Sequence, residues 1–236
     1  MRRVYLITGA SSDIGMAFIR EAAEKDENAL FYAHYRTMNE TLAELQRGSG
    51  GRIRLIQADL AEEGGIFRVI DAVGEPPTHI LHLPAGKIRY VRLRQTDAEI
   101  LKQEMQVQVY SLLEIYKAFL PQMAKEKYGK AVAVVSSCTC GKPPKFLASY
   151  TTVKYALLGL VKSAAAEYAG RGIQINAISP DMVRTKFLSS IDERVIENTA
   201  NSRPDGKILT PRQVVAAIEF LFSDDNPMFG ENLCLS

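Results

Sequence analysis

The sequence is poor in cysteine, nearly neutral in charge and free of long apolar runs. Three cysteines in 236 residues, at positions 138, 140 and 234, are too few for a disulfide framework, so the chain reads as one with reduced thiols. Lys and Arg total 29 against 27 Asp and Glu, a net charge of +2, which gives no global field for gripping nucleic acid or an anionic membrane. No apolar stretch reaches the ~18 residues that a membrane span requires. The run Val4-Tyr5-Leu6-Ile7 is broken by Thr8-Gly9-Ala10-Ser11-Ser12-Asp13 too early to serve as a signal-peptide core. No internal repeat of solenoid period is present. These absences leave a soluble, cytoplasmic globular protein as the expectation. Hydrophobic residues make up 47% and charged residues 24%, enough apolar material for a core, so wholesale disorder is excluded.

What is present is alternation. Strand-length apolar runs at Val4–Thr8, Ala29–Tyr35, Ile53–Ala58, Ile80–Leu83, Ala131–Val135, Ile173–Ile178 and Leu233–Leu235 are separated by helix-length segments. The helices are expected at Asp13–Lys25, Asn39–Arg47, Ile66–Val73, Ala98–Lys125, Tyr150–Ala169 and Pro211–Phe222. Thr210-Pro211 supplies a cap and a proline at the first helical position. Strict alternation predicts an α/β fold: a doubly wound parallel sheet of about seven strands with helices on both faces. The seams are short, so residues 1–236 read as a single domain. Gly48-Ser49-Gly50-Gly51 falls between a helix and a strand and reads as a turn. The polar stretch 186–207 is a candidate lid, or an ordinary surface excursion, at the carboxyl edge of the sheet.

Four segments carry chemistry. Thr8-Gly9-Ala10-Ser11-Ser12-Asp13-Ile14-Gly15 sits where the first strand meets the first helix. Gly9 permits a tight turn, Gly15 lets the helix pack close, and the helix N-terminus offers free N–H groups to a pyrophosphate. Tyr150 and Lys154 lie four apart on one helix face, and Ser137 ends a buried strand thirteen residues before Tyr150. Asn176-Ala177-Ile178-Ser179-Pro180-Asp181-Met182-Val183-Arg184-Thr185 follows downstream, and Asp59-Leu60 ends the third strand.

Taken in this order, the segments resemble the short-chain dehydrogenase/reductase family over almost the whole chain, closest to its 3-oxoacyl-carrier-protein reductase branch. The resemblance implies a Rossmann fold and an NAD(P)-dependent oxidoreductase that moves hydride between nicotinamide and a ketone or secondary alcohol. A 3-oxoacyl thioester on a carrier protein is one substrate it suggests. In that mechanism Tyr150 gives the proton, Lys154 and the oxidised nicotinamide lower its phenol pKa, and Ser137 holds the substrate oxygen. Lys154 also grips the nicotinamide ribose. The cofactor set implied is Gly9, Ser11, Ser12, Ile14, Gly15, Arg36, Asp59, Leu60, Ala85, Gly86, Tyr150, Lys154, Pro180, Val183 and Thr185. Asp59 would receive the adenine amino group. The resemblance also implies a homodimer or homotetramer built on the helices Ala98–Lys125 and Tyr150–Ala169.

The chain departs from the family pattern at several positions. Asp13 stands where the middle glycine belongs, Leu83-Pro84 replaces an Asn pair ahead of Ala85-Gly86, and Asp181 replaces a glycine. Gln108 falls where an asparagine usually holds water for Lys154; it is either a lengthened relay arm or a solvated helix-face residue. The second strand ends His34-Tyr35-Arg36-Thr37 without an acid, so Arg36 would bind a 2′-phosphate and NADP(H) is expected over NAD(H). The departures keep a second reading open: a catalytically impaired relative acting as a nucleotide-binding or scaffold protein. Cys138-Thr139-Cys140 lacks a second ligand pair, so no metal is expected. Lys142-Pro143-Pro144-Lys145 is too small for a nucleic-acid patch, and His79 and His82 read as structural.

Overall fold

Each apolar run becomes a strand because it can be covered on both faces, and each periodic segment becomes the helix that covers it. The computed structural model describes residues 2–235. The strands are β1 (Val4–Thr8), β2 (Leu30–Tyr35), β3 (Ile53–Gln57), β4 (His79–His82), β5 (Gly129–Val134), β6 (Ile173–Pro180) and β7 (Asn232–Leu235). The helices are α1 (Asp13–Lys25), α2 (Glu40–Arg47), α3 (Gly65–Asp71), α4 (Ala98–Met105), α5 (Ser111–Glu126), α6 (Ala148–Glu167), α7 (Glu193–Ser202) and α8 (Pro211–Phe222). β1, α1 and α8 have the bounds read from sequence, and the outer ends of the other elements expected there agree within two residues.

All seven strands run parallel in the order β3-β2-β1-β4-β5-β6-β7, a doubly wound Rossmann sheet. β1 is the switch point: Leu6 pairs with Tyr32 of β2 on one side and with Ile80 of β4 on the other. The connections leaving β1 and β4 therefore go to opposite faces, and a crevice opens between them at the carboxyl ends. Alternate residues of β1 feed two cores. Val4 and Leu6 pack with α3, α5 and α6, whereas Tyr5 and Ile7 pack with α1, α2 and α8. The edge strands β3 and β7 are partly exposed, as expected where one neighbour is missing.

Three differences from the sequence reading bear on the site. The expected single helix Ala98–Lys125 is two helices joined by a wide π-turn at Gln106–Tyr110. The segment 186–207 contains a short 3₁₀ turn (Lys186–Ser190) and α7, which runs on to Ser202, beyond the weak helical pattern that the sequence shows at Ile191–Ile196. Finally, the reduced-thiol expectation fails for two of the three cysteines. Cys140 and Cys234 are joined, their Cα atoms 6.2 Å apart, because parallel pairing of β6 with β7 brings the last strand against the loop that follows β5. Cys138 remains a free, buried thiol.

Candidate active site

The carboxyl ends of β1, β4, β5 and β6 surround a cleft of about 450 Å³. Its floor at one end is the turn between β1 and α1. Gly9 has φ +74°, and a Cβ there would lie 3.1 Å from the backbone of Leu83 and Pro84, so only glycine fits. Ser12 caps α1 by accepting from the Gly15 N–H at 3.1 Å, and its hydroxyl donates to the Gly9 carbonyl at 2.8 Å. His34 braces this turn. Its Nδ1 accepts from the Gly9 N–H at 3.2 Å, and its Nε2 reaches the Ala58 carbonyl at 3.1 Å. A carbonyl only accepts, so the proton sits on Nε2 and the ring is neutral; burial also holds its pKa below the usual value.

The sequence-derived residues distribute as follows. Gly9, Ser11, Ser12, Ile14, Arg36, Asp59, Leu60, Ala85, Tyr150, Lys154, Pro180, Val183 and Thr185 line the cleft, as does Ser137. Gly15 does not; it presses α1 onto Ala10, whose carbonyl would be 2.9 Å from a Cβ at this position. Gly86 is also outside the lining, its N–H given to Glu104 Oε2 at 3.0 Å. Arg36 is exposed at the end of β2. The Asp13 carboxylate is taken up by the Lys186 N–H at 2.7 Å, which fastens the start of α1 to the segment after β6.

At the other end α6 presents Tyr150 and, one turn on, Lys154. Lys154 is buried, its Nζ donating to the Val134 carbonyl at 3.2 Å and lying 5.8 Å from the Tyr150 ring centre. Burial lowers its pKa to about 8, partly offset by the nearby Cys138 and Glu104. Burial likewise pushes the Tyr150 phenol up, opposed by the Ser136 hydroxyl. In the protein alone desolvation of the phenol outweighs the Ser136 hydrogen bond, and the lowering expected from Lys154 together with the oxidised nicotinamide concerns the cofactor-loaded site. Ser137 donates its hydroxyl to Asp181 Oδ1 at 3.0 Å.

Gln108 is not on a solvated face. It is buried in the π-turn, its Nε2 donating to Glu104 Oε2 at 2.7 Å while Oε1 has no partner. Its backbone carbonyl accepts from His82 Nε2 at 2.8 Å, and His82 Nδ1 meets the Thr8 hydroxyl at 2.7 Å. The carbonyl again fixes the tautomer: Nε2 carries the proton and Nδ1 accepts from Thr8. Burial drops the His82 pKa to about 3, so this bridge is neutral. His82 ties β1, β4 and the π-turn together beside Leu83-Pro84, where the Asn pair is missing. Glu104 and Asp181 were not singled out as site residues from sequence. Ser137, the partner of Asp181, lies 44 residues away, beyond any local spacing signal, whereas Glu104 and Gln108 are four apart, a spacing at which helical side chains meet and which offers a local signal.

Residues 9–235 match a family described as Enoyl-(Acyl carrier protein) reductase. The chain belongs to the short-chain dehydrogenase/reductase family. It is an NAD(P)-dependent oxidoreductase of that family, whose members act on alcohols and ketones. Over 228 residues it is 28% identical to the uncharacterized oxidoreductase YmfI of Bacillus subtilis, covering 95% of this chain and 93% of that protein. It is 31% identical over 233 residues to 2-(R)-hydroxypropyl-CoM dehydrogenase of Xanthobacter autotrophicus, with 95% and 93% coverage. A solved structure of a protein from Beutenbergia cavernae, with NADP bound at low occupancy, superposes with a TM-score of 0.88 at 26% identity. That superposition covers 98% of this chain and 94% of the other.

Proposed function

We propose that this family member is an NADP-dependent reductase of ketones, running in reverse as a dehydrogenase of secondary alcohols. The observation that carries the reading is the convergence of Ser137, Tyr150 and Lys154 on one end of a cleft whose other end is a glycine turn and helix N-terminus. The lining suits a dinucleotide: Gly9 lets the turn after β1 lie close against Leu83 and Pro84, and Lys154 is a buried ammonium whose hydrogen-bond partner among the described residues is the Val134 carbonyl. The turn at Gly9, Ser11, Ser12 and Ile14 would hold the pyrophosphate, Asp59 and Leu60 the adenine, and Pro180, Val183 and Thr185 the nicotinamide side. Ala85 and the Gly15-packed helix complete the walls.

When bound, the dinucleotide supplies a hydride. The chain supplies the proton and the donors. Tyr150 holds its proton until the substrate oxygen gains negative charge, since its raised pKa makes the free phenolate costly. Lys154 holds the ribose and restores the proton, and the unpartnered Gln108 Oε1 marks where a water would stand on the way to it. Arg36, exposed at the end of β2 with no acid beside it in sequence, would fork a 2′-phosphate. The Beutenbergia cavernae structure, at 26% identity, holds NADP, in keeping with this reading.

The test pairs binding with turnover. NADPH should raise the melting temperature more than NADH, and a ketone panel that includes a 3-oxoacyl thioester should reveal NADPH oxidation. Tyr150→Phe should lose nearly all turnover and keep the NADPH-induced shift. Absence of both binding and turnover removes the reductase reading.

A further inference from the structure

Asp181 sits inside the catalytic group, where it must affect which carbonyl compounds can react. Its N–H donates to the Leu235 carbonyl at 3.0 Å, which fixes the residue against β7. The neighbouring Ser179 hydroxyl bonds Asn232 at 2.7 Å and Thr139 at 3.0 Å, so both partners of the Ser137–Asp181 contact are anchored. No ion pair among the described residues includes Asp181. Its charge therefore faces the cleft without a cation to neutralise it.

A serine hydroxyl has one proton, and Ser137 gives it to Asp181. A plain ketone oxygen is an acceptor only. It finds Tyr150 as donor, finds lone pairs on Ser137, and develops negative charge beside a carboxylate. A hydroxyl on the carbon next to the carbonyl changes this. It can donate to Asp181 and displace the Ser137 proton, which then turns to the carbonyl oxygen. Ser137 Oγ and Asp181 Oδ1 are 3.0 Å apart, and two oxygens on adjacent carbons in a gauche arrangement are separated by a similar hydrogen-bonding distance. We infer that Asp181 selects ketones carrying a hydroxyl beside the carbonyl and, in the reverse direction, vicinal diols.

The inference rests on the reductase reading. The carbonyl carbon receives hydride from the reduced nicotinamide and forms a C–H bond. The C=O π pair moves to oxygen, which takes the Tyr150 proton, and the product is a vicinal diol. Asp181 forms and breaks no covalent bond. The walls nearby, Ile88, Pro144, Leu147 and Phe187, are apolar, so the remainder of the substrate is uncharged, and an anionic group adjacent to the carbonyl is repelled.

The experiment compares hydroxyacetone with acetone for the parent, Asp181→Gly and Asp181→Asn, all with NADPH. The parent should favour hydroxyacetone in kcat/KM, and Asp181→Gly should cut that ratio about tenfold or more, the range of a hydrogen bond to a charged group. Acetone kcat/KM is the reference for each variant, so a general loss of activity cancels from the ratio. Asp181→Asn, close in shape and neutral, should retain an intermediate ratio. As a readout without turnover, calorimetry with hydroxyacetone and acetone on the NADP⁺-loaded protein, a pairing with no hydride to transfer, should show a preference for hydroxyacetone that Asp181→Gly lacks. NADPH-induced melting shifts check that the variants are folded and loaded. An unchanged ratio in a variant that still turns over overturns the role of Asp181 and leaves the reductase reading standing. A parent that binds NADPH and reduces neither ketone, nor any other in the panel, overturns both.

Discussion

Lys154 shows how one buried charge sets a working range. Desolvation lowers its pKa to about 8, so the ammonium is favoured below that value and lost above it. If Lys154 returns the proton to Tyr150, reduction should be level in mildly acidic and neutral buffer and fall about tenfold per pH unit once above that pKa. Lys154→Arg, whose guanidinium does not deprotonate in this range, should move the falling limb to higher pH even if overall turnover drops. A pH profile of kcat/KM checks both statements. At this scale the sequence was informative wherever the signal was local. Tyr150 and Lys154 share a helix face by periodicity alone, and Ser137 lies at the mouth of a strand whose apolar run is unmistakable. The amide of Gln108 was also visible, but its surroundings were not. Its burial depends on Glu104, on a π-turn and on His82, which reach it through three separate elements. His82 itself looks like an ordinary strand residue, since nothing local announces that its ring ties β1, β4 and the π-turn together.

The long helical segment shows why elements are legible and their irregularities are not. Apolar residues keep helical spacing before and after Gln106–Tyr110, so the pattern reads as one helix. The wide turn is imposed by packing, and it releases the Gln108 carbonyl to His82. The segment 186–207 is the opposite case: its composition is polar, yet Asp192 caps α7 through the Arg194 N–H and Asp13 holds its beginning. Asp13 is thus a fastener where most family members have a glycine. Asp13→Gly should loosen that segment, seen as faster proteolysis within 186–207. It should also tighten NADPH binding about two- to fivefold, by removing a negative charge from a helix end that faces phosphate. Weaker NADPH binding in this variant would show that holding the segment matters more than the charge.

For the molecule as a whole, three large apolar side chains stay exposed on the helices that cover one face of the sheet. Tyr110 at the end of the π-turn, Leu113 on α5 and Tyr155 on α6 are 48%, 37% and 44% exposed. Isolated exposed apolar residues are ordinary, but these fall on the two helices for which the family resemblance implies pairing across a two-fold axis. A dimer at micromolar concentration is the expected result of light scattering, and Tyr155→Glu together with Leu113→Glu should shift it to monomer without loss of the melting transition. A monomeric parent would rule the pairing out. Among the described residues no helix is long and apolar enough to cross a membrane.

The order of the strands also sets a timetable for synthesis. β1 acquires both its neighbours, β2 and β4, within the first 82 residues, so the half of the sheet that carries the glycine turn can be paired while the rest of the chain is still being translated. The catalytic corner is different. Asp181 is held by the carbonyl of Leu235, and Cys140, three residues past Ser137, is tied to Cys234. Both fastenings come from β7, the last strand of the sheet to leave the ribosome. The spacing of Ser137 and Asp181 therefore leans on a four-residue strand at the far edge, which a nascent chain acquires after the pairing around the glycine turn.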